Sequence, residues 1–283
     1  MWSRNKANLY IQDALADFHP NPKALPSPPR QHTMYKQKLM LTHLTGFGSG
    51  AGEIPNDVTS YDFDGTNDYL SMADHADWDF ANGGDFTIEF FMRVPDGTPA
   101  TDNTVFEFYQ DGTNYIRIKF VSAGGFEYSV YQSSSTVASI TSNNALISAN
   151  TWHHVAICRD GDNYYWYVDG AEHQNAGSPD SDTPAAMAGT LFIGVKGDIS
   201  GDLIGRLDEY RISNTARYPS GTPFTPTTSQ FTSDANTPLL IHCGETIVSG
   251  TTGSGATFVD SGNTGHTVTE GGDAIRDTVI YKF

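Results

Sequence analysis

The sequence predicts an all-β chain of sandwich or barrel type, with a short helical and Pro-rich arm ahead of it and a β-rich tail behind it. Three observations predict it. Short runs rich in β-branched and aromatic residues follow one another from Leu39 to Phe231, each bounded by Gly, Asn, Asp or Ser. The run Tyr115-Ile116-Arg117-Ile118-Lys119-Phe120 alternates between an apolar face and a mixed one, as a strand covered on one side does. Val155–Cys158 and Tyr164–Val168 form a hairpin pattern around Asp160-Gly161, and a second Asp-Gly follows at Asp169-Gly170.

The elements follow in order. Ile11, Ala14, Leu15 and Phe18 fall at i, i+3, i+4 and i+7, so residues 5–18 read as a helix with one apolar stripe. Pro20 and Pro22 stop it near His19. Pro26, Pro28 and Pro29 extend the chain to about residue 33 as a spacer or strap. Strands are then expected at Tyr61–Phe63, Asp68–Met72, Phe86–Val94, Thr104–Tyr109, Tyr115–Val121, Phe126–Tyr131 and Val137–Thr141. After the hairpin come Leu191–Val195 and Glu209–Ile212. The Gly/Thr-rich tail offers weaker strands at Leu239–His242, Thr257–Val259, His266–Thr269 and Thr278–Phe283. The expected organisation is an arm over 1–37, a β domain over 38–232 and an extension over 233–283.

Charge narrows the classes of partner. The formal net charge is −17, which argues against nucleic acid, because phosphate binding needs clustered Lys and Arg. The charge is uneven. Residues 1–52 hold Arg4, Lys6, Lys23, Arg30, Lys36 and Lys38 against Asp13 and Asp17. A basic arm ahead of an acidic body is suited to docking on another surface, or on the body itself. No apolar run approaches the roughly 18 residues of a membrane span, and the first residues lack the apolar core of a signal peptide. Cys158 and Cys243 have no metal-type spacing, and Cys158 reads as a small buried apolar residue.

Several segments resemble a known family in that family's own order. Phe63-Asp64-Gly65-Thr66-Asn67-Asp68-Tyr69-Leu70 and Gly84-Asp85-Phe86-Thr87-Ile88-Glu89-Phe90-Phe91 resemble the opening strands of laminin-G-like, concanavalin A-like jelly rolls. Trp152-His153-His154-Val155 with Tyr167-Val168-Asp169-Gly170 resembles the central hairpin, and Gly205–Ser213 with Ala216-Arg217-Tyr218 the closing strand. The resemblance covers residues 55–232 and implies an antiparallel β-sandwich jelly roll. Ala216–Tyr218, Pro223–Pro226 and Phe231–Thr237 further resemble the laminin-G-like domains of tailed-phage virion proteins. Asp260–Val268 does too, although relatives carry such a segment before the Phe-Asp-Gly strand. The tail is therefore expected to supply strands late that relatives supply early, to its own sheet or to a neighbour's.

The resemblance also implies candidate chemistry. A structural Ca²⁺ in such folds maps onto Asp64, Gly65 and Asp208, with Asn67 or Asp68 as helpers, and oxygen ligands at a rim suit Ca²⁺. The same residues suit a plain turn and a capped strand end. Hydrolytic relatives need paired carboxylates, in a Glu-x-Asp-x-x-Glu pattern, and none of the eight Glu here sits in it. His153 and His154 are adjacent, so on a strand they point to opposite faces. Exposed aromatics for glycan binding would come from Tyr109, Tyr128, Tyr131, Tyr164, Trp166 and Tyr218. The resulting expectation is a non-enzymatic virion protein that decorates a capsid. Arg4, Lys6, Ile11, Leu15, Phe18 and Arg30 would dock on the major capsid protein or another virion protein, and the chain would form a homo-oligomer. The alternative is a module of a tail fibre that binds a surface carbohydrate or a receptor.

Overall fold

The computed structural model describes residues 60–78, 80, 84–173, 184–219, 223–242, 258–272, 275–277 and 282. The arm with Arg4, Lys6, Ile11, Leu15, Phe18 and Arg30, the Pro-rich segment, the pattern from Leu39 to Thr59 and Cys243 lie outside the described residues. Fifteen strands are described: β1 (Ser60–Asp64), β2 (Tyr69–Met72), β3 (Phe86–Arg93), β4 (Asn103–Asp111), β5 (Asn114–Phe120), β6 (Phe126–Gln132), β7 (Ser135–Thr141), β8 (His153–Asp160), β9 (Asn163–Val168), β10 (Ala171–Glu172), β11 (Thr190–Ile193), β12 (Ile204–Ser213), β13 (Leu239–Ile241), β14 (Thr269–Gly271) and β15 (Ile275–Asp277). A 3-10 turn covers Ala76–Trp78. Among the described residues no helix is long and apolar enough to cross a membrane.

The strands form two antiparallel sheets. One runs β10-β9-β8-β3-β12-β1-β15, with β13 also on β12, and the other runs β14-β2-β11-β4-β5-β6-β7. Their inner faces meet in one core. Ile88, Phe90, Met92, Val155, Ile157, Leu207, Tyr210 and Ile212 come from the first sheet. Phe106, Phe108, Ile116, Ile118, Phe120, Phe126, Tyr128 and Val130 come from the second. This is the two-sheet sandwich expected from the sequence, with large inward side chains alternating along each strand.

The tail enters the sheets of its own chain. β13 pairs with β12, β14 with β2 and β15 with β1. Each is three residues long. Phe258 reaches the core and packs on Tyr61 at 4.1 Å between ring centroids.

The two sheets differ in what covers their outer faces. β3 and β8 are buried on both faces for all but their last residue. Residues 214–219 and 223–242 explain it. Phe231 and Leu240 pack on Phe91, while Ala216, Tyr218 and Phe224 pack on Ala156, Cys158 and Tyr167. Gly170 anchors this strap, since its carbonyl accepts the Phe224 N–H at 2.9 Å. β5 and β6 instead alternate between buried and half-buried residues. An antiparallel sheet shows that alternation when one face is packed and the other is open to water.

Candidate functional site

The open face of the seven-stranded sheet carries a row of aromatic side chains. Thr190, Tyr109, Tyr115, Tyr131 and Thr136 are paired in register across β11, β4, β5, β6 and β7. Leu191, Phe108, Ile116 and Val130 point into the core, so their neighbours Thr190, Tyr109, Tyr115 and Tyr131 point away from it. Tyr115 and Tyr131 stack at 5.1 Å with ring planes 21° apart. The next row reads Ser71, Phe192, Glu107, Arg117, Ser129 and Ser139. The Arg117 guanidinium lies 4.1 Å over the Tyr115 ring and donates through Nε to Glu107 Oε1 at 2.8 Å. The rows form a shelf of tyrosine rings beside a fixed cation and a line of hydroxyls.

One end of the shelf is walled. Gly197 sits against Tyr109, where an added Cβ would lie 2.2 Å from the ring, so the loop touches the tyrosine through bare backbone. The Gly197 N–H also donates to Glu107 Oε2. Burial pushes the Glu107 carboxyl above its ordinary pKa, opposed by Arg117 and by the Gly197 N–H. Lys119, in the following row, bridges Glu127 at 3.0 Å and Asp102 at 3.3 Å. The charged groups of this face are therefore held in place before any ligand arrives.

The opposite outer face holds a sealed polar network. Glu89, fully buried on β3, accepts from His154 Nε2 at 3.0 Å, Arg211 Nε at 2.8 Å and the Tyr218 hydroxyl at 2.6 Å. Burial raises its pKa, but the His154 hydrogen bond, the Arg211 charge and Tyr218 outweigh it and bring it down to about 2. A carboxylate only accepts, so His154 Nε2 carries a proton. Glu209 is also fully buried and takes His242 Nδ1 and the Phe231 N–H, both at 2.7 Å. These groups hold the strap down.

Ser148, His153 and Asp169 make a chain of contacts that no sequence pattern announced. His153 Nδ1 lies 2.7 Å from Asp169 Oδ2, and its Nε2 lies 2.8 Å from Ser148 Oγ. The order is that of a nucleophile, a base and an orienting acid. However, the Ser148 N–H also donates to Nε2 at 3.1 Å, so the ring is held to the backbone of the serine's own loop. The arrangement ties the loop before β8 to the turn after β9.

The residues expected to hold Ca²⁺ do not converge. Asp64 pairs with Ile204, while Asp208 lies four residues further along β12, opposite Phe91 on the neighbouring β3. At the rise of a strand that separates them by about 13 Å, so one ion cannot take both. Gly65 turns the chain at φ +86. The Asp64 N–H donates to Asp68 Oδ2 at 2.9 Å and the Asn67 N–H to Asp202 Oδ1 at 3.0 Å. Asp208 accepts the N–H groups of Glu209 and Lys282. Here Asp64 and Gly65 form a turn, and Asp208 stands inside β12 beside its bulge.

Of the aromatics expected to meet a glycan, Tyr109 and Tyr131 stand on the open face. Tyr128, Tyr164 and Trp166 fill the core, and Tyr218 stacks on Phe224 at 3.7 Å within the strap. Tyr115 was not among those candidates. Its signal was the mixed face it shares with Arg117 and Lys119. His153 and His154 do point to opposite sides, one to the Ser148 loop and one to Glu89.

Fold and face together define a lectin-like jelly-roll class. A laminin-G family model, described as the concanavalin A-like lectin/glucanases superfamily, matches residues 64–220, more than half of the chain. The chain belongs to that family. A search of curated proteins finds no match. Among solved structures, a candidate carbohydrate binding protein from Bacteroides ovatus is similar at 18% identity and a TM-score of 0.51. That likeness covers 79% of this chain and 60% of the other, so this chain spans less than two thirds of it. Domains LG4-5 of mouse laminin alpha1 match at 14% identity and TM-score 0.40, over 62% of this chain and 48% of that one. A heptameric SAP-like pentraxin from Limulus polyphemus matches at 16% and 0.40, over 57% and 77%.

Proposed function

We propose that this chain is a non-catalytic carbohydrate-binding module that holds a glycan on the tyrosine row of its seven-stranded sheet. The observation that carries the reading is the in-register row Tyr109, Tyr115 and Tyr131 on the outer face that, among the described residues, the strap leaves open. Sugar rings present C–H faces that pack on aromatic rings and hydroxyls that need fixed polar partners. Arg117 and Ser129 supply such partners in the adjacent row, and the buried Glu107 holds Arg117 in place. The name of the Bacteroides ovatus relative supports the same reading through a shared fold.

The carboxylates favour binding over cleavage. Glu107 and Glu127 share the face but are two strands and two residues apart, about 12 Å between backbones. Each is engaged by its own cation, Arg117 or Lys119. Glycosidases need two carboxylates working on one bond, and here each is committed to a separate cation. The test is binding to a panel of immobilised glycans. Wild type is expected to bind at least one, and Tyr115→Ala and Tyr131→Ala are each expected to weaken it roughly ten-fold or more, about 1–2 kcal/mol of lost ring contact. Both side chains face solvent, so melting temperatures stay within a few degrees. Binding unchanged in both variants refutes the site.

A second reading concerns the setting. The basic segment 1–52 ahead of an acidic body, with the resemblance of 216–237 to phage virion domains, supports a chain that docks on a capsid through its arm and displays the sandwich outward. The partners would be the major capsid protein or another virion protein, and copies of this chain. Deleting residues 1–33 is expected to leave the sandwich folded and to abolish attachment to the particle. Full attachment of the shortened chain contradicts this reading.

A further inference from the structure

Outside the tyrosine face, two imidazoles and a carboxylate meet where the tail crosses the 3-10 turn. His75 Nδ1 lies 3.2 Å from Asp77 Oδ2, and His266 Nε2 lies 2.9 Å from the same oxygen. All three ligand atoms fall within 4.8 Å of one another, the one such His/Asp/Glu/Cys group among the described residues. We propose that His75, Asp77 and His266 form a binding site for a divalent first-row transition ion of the Zn²⁺ type.

The donor set selects the class of ion. Two neutral nitrogens and one carboxylate oxygen suit Zn²⁺ and its neighbours, whereas Ca²⁺ and Mg²⁺ prefer oxygen alone. The spacing suits it too. Ligands about 2.1 Å from a tetrahedral zinc stand roughly 3.4 Å apart, close to the two separations observed. The wider His75–His266 gap closes by a small rotation of His75, whose side chain is 44% exposed. His75 Nδ1 already accepts the Asp77 N–H at 3.2 Å, so its lone pair lies on the Asp77 side. His266 Nε2 carries a proton toward Asp77, and metal binding transfers that proton to solvent or to Nδ1.

Surrounding groups hold the ligands in place. Thr264 Oγ1 donates to Asp77 Oδ2 at 2.6 Å, and the His266 N–H donates to Asp260 Oδ2 at 2.7 Å. The His266 ring packs on Trp78 at 4.3 Å and on His75 at 4.6 Å. Such outer contacts orient metal ligands in known sites. His75 and His266 lie 191 residues apart in sequence, so an ion here staples the tail to the body. Its exposed side leaves room for water as a further ligand. The site is independent of the glycan reading.

The experiment titrates the full chain with Zn²⁺ by calorimetry and with Co²⁺ by visible absorption, alongside His75→Gln, Asp77→Asn and His266→Gln. Wild type is expected to take up one equivalent with a dissociation constant in the micromolar range or below, and to show the intense visible bands of a low-coordinate Co²⁺ site. Each substitution is expected to weaken that equivalent roughly ten-fold or more. Saturating Zn²⁺ is expected to raise the wild-type Tm by roughly 5 °C and to leave the variants unmoved. His75→Gln removes an exposed ligand from a surface turn, so it keeps the test meaningful if a His266 variant folds poorly. The absence of a saturable equivalent in wild type overturns the proposal, as does wild-type affinity in His75→Gln.

Discussion

Glu89 shows how a single residue holds a face of this molecule. It is fully buried, yet stays ionised because His154, Arg211 and Tyr218 all donate to it. Replacing it by Gln leaves Arg211 in a buried site without its counter-charge, which costs about 3–5 kcal/mol. Urea unfolding at neutral pH is expected to show that loss. The pH dependence carries a sign. The Glu89 pKa falls from 4.5 in the unfolded chain to about 2 in the fold. Its contribution is therefore complete above pH 4.5 and is lost as pH falls toward 2, by about 3 kcal/mol. The difference in stability between wild type and Glu89→Gln is expected to shrink over that window. A constant difference contradicts the network. None of this was legible in the sequence, because the donors come from residues 65, 122 and 129 positions away. Charge and hydropathy patterns see only near neighbours.

At the scale of elements, the strands were largely legible and their register was not. The alternation in β5 and the Asp-Gly pairs around β9 were plain, and Asp169 and Gly170 do adopt φ +50 and +78, the signs a two-residue hairpin turn needs. Gly170→Ala tests that turn. An added Cβ would stand 1.8 Å from the Phe224 carbonyl oxygen, so the turn would strain and the strap would lift. A loss of about 2 kcal/mol or more is expected from the denaturation midpoint, and an unchanged midpoint contradicts the anchoring role. The separation of Asp64 from Asp208 has a cause at this scale. β12 carries a bulge between Asp208 and Arg211 with Glu209 at φ +53, and it crosses its neighbours over ten residues. Motif order alone does not say which of those residues stands opposite Asp64. The tail strands read as weak because each is three residues long, too short for a period to show.

Across the whole molecule, function follows from what is covered. The strap takes the outer face of the first sheet and makes it structural, with Glu89 and Glu209 as its fasteners. The second sheet keeps an open face, and the tyrosine row occupies it. Tyr109 and Tyr131 could be nominated from the sequence, but so could Tyr128, Tyr164 and Trp166, which lie in the core. Aromatic content alone does not separate filler from platform, since that depends on which face of its strand each ring takes and on which sheet the strap crosses. The net charge of −17 works at the same scale. It disfavours anionic polymers in general, so neutral or locally cationic glycans are the expected ligands. The account stands on the tyrosine row, and the most direct test is a glycan-array comparison of wild type with the double variant Tyr115→Ala/Tyr131→Ala. Binding by wild type that vanishes in the folded double variant is the predicted result. Equal binding by both, or none by wild type across the array, contradicts it.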